Sequence, residues 1–200
     1  MKYLEKAYDL YRDNSFLRQY TVHLLPTLAE AYLYRYITSK DRSGSDEKKY
    51  LHRTKDICKK AVSGTRRWPS HYGLALLVNA KYCAVLGKKK RADRLFQQSI
   101  RHHKKIGRGY CLARSHYEYG LFLSQADAGS NAKKNLETAY SLFVEIGANR
   151  YVDELRSLLG IKDDEGGQSS LERRIDNERL SSVIKLARDC LLYTSDAADE

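Results

Sequence analysis

Lys88-Lys89-Lys90-Arg91-Ala92-Asp93-Arg94-Leu95-Phe96-Gln97-Gln98-Ser99 is the stretch whose reading decides the fold. Ala92, Phe96 and Ser99 stand four and then three residues apart, so they share one face of a helix. Two of the three are small, which lets a neighbouring helix come close. The same spacing recurs in Ala132, Leu136 and Ala139, forty residues on, and upstream in Thr54, Cys58 and Ala61. Each triplet follows another helical pattern with a small residue at its centre: Leu28-Ala29-Glu30-Ala31-Tyr32, Asn79-Ala80-Lys81-Tyr82-Cys83 and Tyr119-Gly120-Leu121-Phe122-Leu123. Ala29, Ala80 and Gly120 are therefore equivalent, and the chain reads as repeated helix pairs.

The last two units keep a constant offset of 40, in which Ile106-Gly107 returns as Ile146-Gly147. A glycine just past a helix suits a left-handed C-terminal cap. Between Ala29 and Ala80 the offset is 51, and Ser39 to Asp46, with no apolar residue, is expected to be an exposed flexible loop holding the excess. The spacing predicts helices near Tyr3–Arg12, Arg18–Thr38, Glu47–Gly64, Ser70–Leu86, Lys89–Lys105, Arg108–Ala126, Asn131–Glu145 and Arg150–Leu159. Only Pro26 and Pro69 interrupt the pattern, so the fold class is all-α.

Across Arg18 to Leu159 these residues resemble the tetratricopeptide (TPR) family. Leu28, Ala29 and Tyr32 fit its first-helix pattern, and Ala92 and Phe96 its second, whereas Thr54, Cys83, Ser99 and Leu123 depart from it. The resemblance implies an α-solenoid of antiparallel helix pairs, similar to the degenerate arrays of large bacterial signalling proteins and transcriptional activators. It also implies a groove lined by the first helices, with Leu77, Lys81, Ala84 and Val85 in one unit and Arg114, Tyr117, Leu121 and Ser124 in the next. Lys81 and Arg114 would there meet acidic groups of a protein or peptide partner, or of other domains of the same polypeptide.

The repeat region is expected to span 1–159, and 160–168 to be a polar linker containing Gly166-Gly167. Ser169-Ser170-Leu171-Glu172 reads as a capping box that opens a separate C-terminal helix over 169–189. That helix resembles the segment leading into a GAF sensor domain. Residues 190–200 resemble one translated frame of a transposase sequencing adapter, so they are expected to be non-native and the natural protein to continue past Asp189.

Composition narrows the function. The 200 residues carry a formal net charge of +11. The most apolar stretch, Tyr20 to Ile37, is broken by His23, Glu30 and Arg35, well short of the roughly 20 apolar residues of a membrane span. Met1 to Lys6 lacks the order of a secretory signal, which predicts a cytoplasmic chain. Cys58, Cys83, Cys111 and Cys190 form no C-x-x-C pair, and the first three read as small buried hydrophobes.

No phosphate loop, His-Glu-x-x-His pair, nucleophile elbow or Rossmann glycine run occurs. His102 and His103 point about 100° apart on a helix and read as a solvated helix end rather than as metal ligands, although the buried stripe Ala92, Phe96, Ser99 continues to His103. His116 reads as packing. No cofactor, metal or catalytic residue is expected, and any enzyme activity would belong to further domains of a kinase, ATPase or cyclase-type regulator.

Two basic stretches remain, Lys48 to Arg67 and Lys88 to Arg108. Their cations are expected on solvated outer faces. The alternative is a basic helical nucleic-acid-binding protein; most of the 16 tyrosines fall at packing positions instead of forming a stacking platform. The leading expectation is a protein-binding scaffold segment of a signal-transduction protein.

Overall fold

The structure, a computed structural model, describes residues 2–13, 22–39, 45–125 and 129–161. These contain eight helices: α1 (Lys2–Asp13), α2 (Leu24–Thr38), α3 (Ser45–Thr65), α4 (Pro69–Val85), α5 (Lys89–Lys105), α6 (Gly109–Ser124), α7 (Gly129–Glu145) and α8 (Asn149–Leu159). All belong to one compact unit, Met1–Gly160. The expected linker beyond 161, the helix over 169–189 and the tail over 190–200 lie outside the described residues. Helix α3 begins at Ser45, inside the expected loop, whose residues 40–44 also lie outside them.

The helices pack as sequential antiparallel pairs, α2 with α3, α4 with α5 and α6 with α7. Contacts also run between first helices, α2 with α4 and α4 with α6. This neighbour-to-neighbour pattern is consistent with a helical repeat arrangement. The core is divided accordingly. One cluster joins Leu28, Tyr32, Ile57, Cys58 and Val78, the next joins Leu77, Ala80, Phe96, Tyr119 and Leu123, and the last joins Tyr117, Leu136, Phe143, Val152 and Leu155.

The predicted seams are all buried: Thr54, Cys58 and Ala61; Ala92, Phe96 and Ser99; Ala132, Leu136 and Ala139. Opposite them, Ala29 and Ala80 have no exposed surface. At Gly120 an added Cβ would lie 2.7 Å from the Leu136 side chain, so only glycine lets α7 approach this closely. Helix α4 is buried on most sides, through Gly73, Ala75, Leu76, Leu77, Val78, Ala80 and Cys83. Four helices touch it. Helix α5 buries only the stripe Ala92, Phe96, Ser99 and His103.

The same turn ends three helices. Gly107 and Gly147 adopt φ of +66° and +69°, as their position predicts, and the next residue returns a hydrogen bond five positions back, Arg108 N–H to His103 O (3.1 Å) and Ala148 N–H to Phe143 O (2.9 Å). Gly87, φ +69°, closes α4 in the same way, through Lys88 N–H to Cys83 O (2.9 Å). Pro69 opens α4 at its first turn, where a missing N–H costs nothing.

Candidate functional site

Helix α4 presents two opposite faces to solvent. Lys81, Ala84 and Val85 lie on one, toward α2 and α6; Tyr72 and Asn79, seven residues apart, lie on the other, toward α3 and α5, with the buried Cys83 one turn further on.

On the first face a chain of alternating charges crosses three helices. Glu30 of α2 accepts hydrogen bonds from Arg114 Nη2 of α6 (2.6 Å) and from Lys81 Nζ of α4 (3.0 Å), and Lys81 also donates to Glu118 of α6. The four side chains are each only 19–26% exposed. Burial alone would raise the Glu30 carboxyl, but Lys81 and Arg114 outweigh it and hold the group below its ordinary value of 4.5. Burial pulls the Arg114 guanidinium down, and Glu30, with neighbouring groups, lifts it above its usual range.

Beside this quartet lies a depression of about 420 Å³ at the C-terminal ends of α2, α4 and α6. Ile37, Ala84, Val85, Leu121 and Phe122 line it, with Lys81 and Glu118 at its polar edge. Ile37 and Val85 keep 38% and 37% of their surface exposed.

The structure brings together four of the eight residues expected in the groove, Lys81, Ala84, Val85 and Leu121. The others sit elsewhere. Leu77 has no exposed surface and packs among Ala80, Cys83 and Phe96, because α5 and α6 close over its turn. Tyr117 is buried among Phe143, Val152 and Leu155, and its hydroxyl donates to Glu154. Burial, then that hydrogen bond, pushes the phenol pKa up. Ser124 is exposed and bonds back to Gly120 O in its own helix (3.0 Å). Arg114 is held by Glu30. Lys81 and Arg114, expected to meet a partner's acids, already meet acids of this chain.

The solvated helix end expected at His102-His103 holds for the half-exposed His102 but not for His103. The His102 ring lies against Tyr72, and its Nε2 is 2.7 Å from Pro69 O. His103 is fully buried with Ser99 and Ser115. His103 Nδ1 lies 3.0 Å from Ser115 Oγ, Ser115 Oγ 3.0 Å from Ser99 Oγ, and Ser99 Oγ 2.8 Å from Gly73 O. With the proton on Nδ1 no N–H is stranded: Nδ1–H donates to Ser115 and Ser99 donates to the Gly73 carbonyl of α4, while the Ser115 hydroxyl has both Ser99 Oγ and Cys111 O (2.9 Å) as acceptors. Nε2 is then a bare lone pair, and it has no partner. It faces Gly73, where a Cβ would come within 2.3 Å of it. Burial, followed by the charges of His102, Arg108 and Arg114, pushes the His103 pKa down to about 4. The Ser115–His103 pair has the composition of a nucleophile and base, but it is sealed inside the α4–α5–α6 seam, where no substrate reaches it. The Ser99-His103-Ser115 spacing, three small or polar residues on facing stripes, was the signal in the sequence for this cluster.

Cys58 and Cys83 are buried as expected, Cys111 only partly. Burial pushes the Cys58 thiol up to about 12, which suits a packing role. Among the described residues no group of three or more His, Cys, Asp or Glu side chains could hold a metal ion. None of their helices is long and apolar enough to cross a membrane.

On the second face, five cations surround a concavity between α3 and α5 floored by α4. Lys55, Lys59 and Arg66 come from the first basic stretch, and Lys88 and Arg91 from the second. All five are exposed, as expected of a solvated outer face, but the convergence of the two stretches is not legible in the sequence. It arises because α3 and α5 flank the same helix.

Compared with known proteins, the chain matches no family model, no curated protein and no solved structure. The architecture itself is an all-helical domain whose described residues form eight helices, packed as sequential antiparallel pairs.

Proposed function

We propose that this domain is a TPR-like scaffold that binds an apolar side chain of a partner's peptide segment in the depression between the C-terminal ends of α2, α4 and α6. The observation that carries this reading is the group Ile37, Ala84, Val85, Leu121 and Phe122, drawn from three successive first helices and left partly open to solvent. The charge quartet beside it sharpens the partner's chemistry. Its charges cancel, so a strongly acidic segment gains little there, whereas covering exposed aliphatic carbon is favourable at about 25 cal/mol per Å². As the sequence resemblance implies, such a scaffold would serve a signal-transduction protein whose catalytic modules lie in other domains.

The test is to select peptides from a random display library on the full chain and to measure their affinity for Val85→Asp and Leu121→Asp variants. Peptides with an apolar anchor, weakened at least about tenfold (about 1.4 kcal/mol) by either substitution, support the reading. Selected peptides that bind both variants as tightly as the parent chain exclude the depression as the site.

A further inference from the structure

The concavity between α3 and α5 differs in chemistry from the depression just described. Its volume is about 490 Å³, within the range of small-ligand sites. Lys55, Lys59, Arg66, Lys88 and Arg91 line it, together with Tyr72, Asn79 and Tyr82, and no carboxylate does. All five cations are exposed, and none of them enters an ion pair among the described residues. Asp56, which lies between the two lysines in sequence, does not line it: its carboxylate is 3.4 Å from His52 Nε2 and faces the separate depression beside α1, although its charge still acts on Tyr82.

Further positive potential comes from the backbone. Helix α5 starts at this rim, with no acidic residue in its first turn and no side chain capping its N-terminus, so the positive end of its dipole is uncompensated. Like charges gathered around a concave, low-dielectric wall focus the field on an anion. The floor offers a different contact. Tyr72 and Tyr82 are half-buried, so each leaves part of a ring accessible, and the Asn79 side chain lies between their turns as a hydrogen-bonding group.

We propose that this concavity binds a nucleotide unit, with its phosphates among Lys55, Lys59, Lys88 and Arg91 and its base against one of the two floor tyrosines, Tyr72 or Tyr82, which stand about 15 Å apart along α4. Phosphate satisfies several cations at once, which a single carboxylate cannot, and a planar base uses an aromatic floor that a bare polyphosphate ignores. The nucleotide unit comes either free or within a single strand. This site is independent of the peptide reading, because it lies on the opposite face of α4.

The experiment is calorimetric titration of the full chain, at low salt, with ATP, tripolyphosphate and a short single-stranded oligothymidylate. ATP binding identifies a free nucleotide, and binding of the oligonucleotide alone identifies a strand; both support the proposal. Lys59→Glu/Arg91→Glu should weaken the bound probe at least about tenfold, while Lys133→Glu/Lys134→Glu on α7, with the same change in net charge, should weaken it less than about threefold. If the first variant loses its helical circular dichroism, Lys59→Gln/Arg91→Gln against Lys133→Gln/Lys134→Gln makes the same comparison. The proposal is overturned if neither nucleotide probe binds, if tripolyphosphate binds as tightly as the tightest nucleotide probe, or if the two pairs of substitutions weaken binding equally.

Discussion

The two exposed faces of α4 solve the same electrostatic problem in opposite ways. Toward α2 and α6, two cations and two carboxylates interlock at roughly one-fifth to one-quarter exposure, and the charge there cancels. Toward α3 and α5, five cations share a concavity without a carboxylate. The difference teaches that a net charge of +11 is not spread evenly. A matched network is part of the structure, since removing one member strands the others in a partly dry setting. An unmatched ring costs stability through repulsion and is available to an external anion.

Both faces depend on the α4–α5 seam, and the largest effects are expected there. Below pH 6.5 the unfolded chain protonates His103 while the folded chain, with the pKa near 4, does not. Stability therefore falls as pH drops from about 6.5 and levels off below about 4, a loss on the order of 3 kcal/mol. Urea titrations at a series of pH values measure it, and a His103→Gln chain should flatten the slope between pH 6.5 and 5. An unchanged slope would assign the acid sensitivity to other groups. Gly73→Ala drives a methyl into the same ring and should cost about 1–3 kcal/mol, seen as a lowered urea midpoint.

The matched face comes next. Glu30→Gln leaves Arg114 without its carboxylate partner and Lys81 with only Glu118, and a loss of about 1–2 kcal/mol is expected, between the values for surface and fully buried pairs. Because the Glu30 carboxyl is held below its ordinary value of 4.5, its contribution is complete above that pH and disappears as pH falls through the depressed value. The Gln variant should lack this step, which thermal melts between pH 5 and 3 would detect.

The smallest effect separates the faces most directly. Lys59→Ser removes one unpaired cation and should change stability by no more than about 0.5 kcal/mol, in the stabilising direction, with the gain shrinking as salt screens the repulsion. A destabilisation comparable to that of Glu30→Gln would mean that Lys59 has a structural partner and that the two faces are alike.

Particular residues show where sequence reading reaches. The triplets around Phe96 and Leu136, the small centres Ala29, Ala80 and Gly120, and the caps at Gly107 and Gly147 were all legible, because each is a local rule of helix periodicity or of backbone sterics. Gly87 obeys the cap rule too, in Leu86-Gly87, and could have been read from it. Half of the expected groove was not legible. Helical spacing gives the direction of Leu77 and Tyr117, but not whether a neighbouring helix closes over them, and both are covered.

The sequence by itself determined the helices, their pairing period and the buried seams, since these follow from spacing within a dozen residues. Only the tertiary structure decided which charges are spent. Glu30 and Arg114 stand 84 positions apart, and Lys59 and Arg91 belong to different helices of the stack. Whether such charges cancel or accumulate depends on distances across helices, and Coulomb interaction in a partly dry setting is governed by those distances, not by separation along the chain.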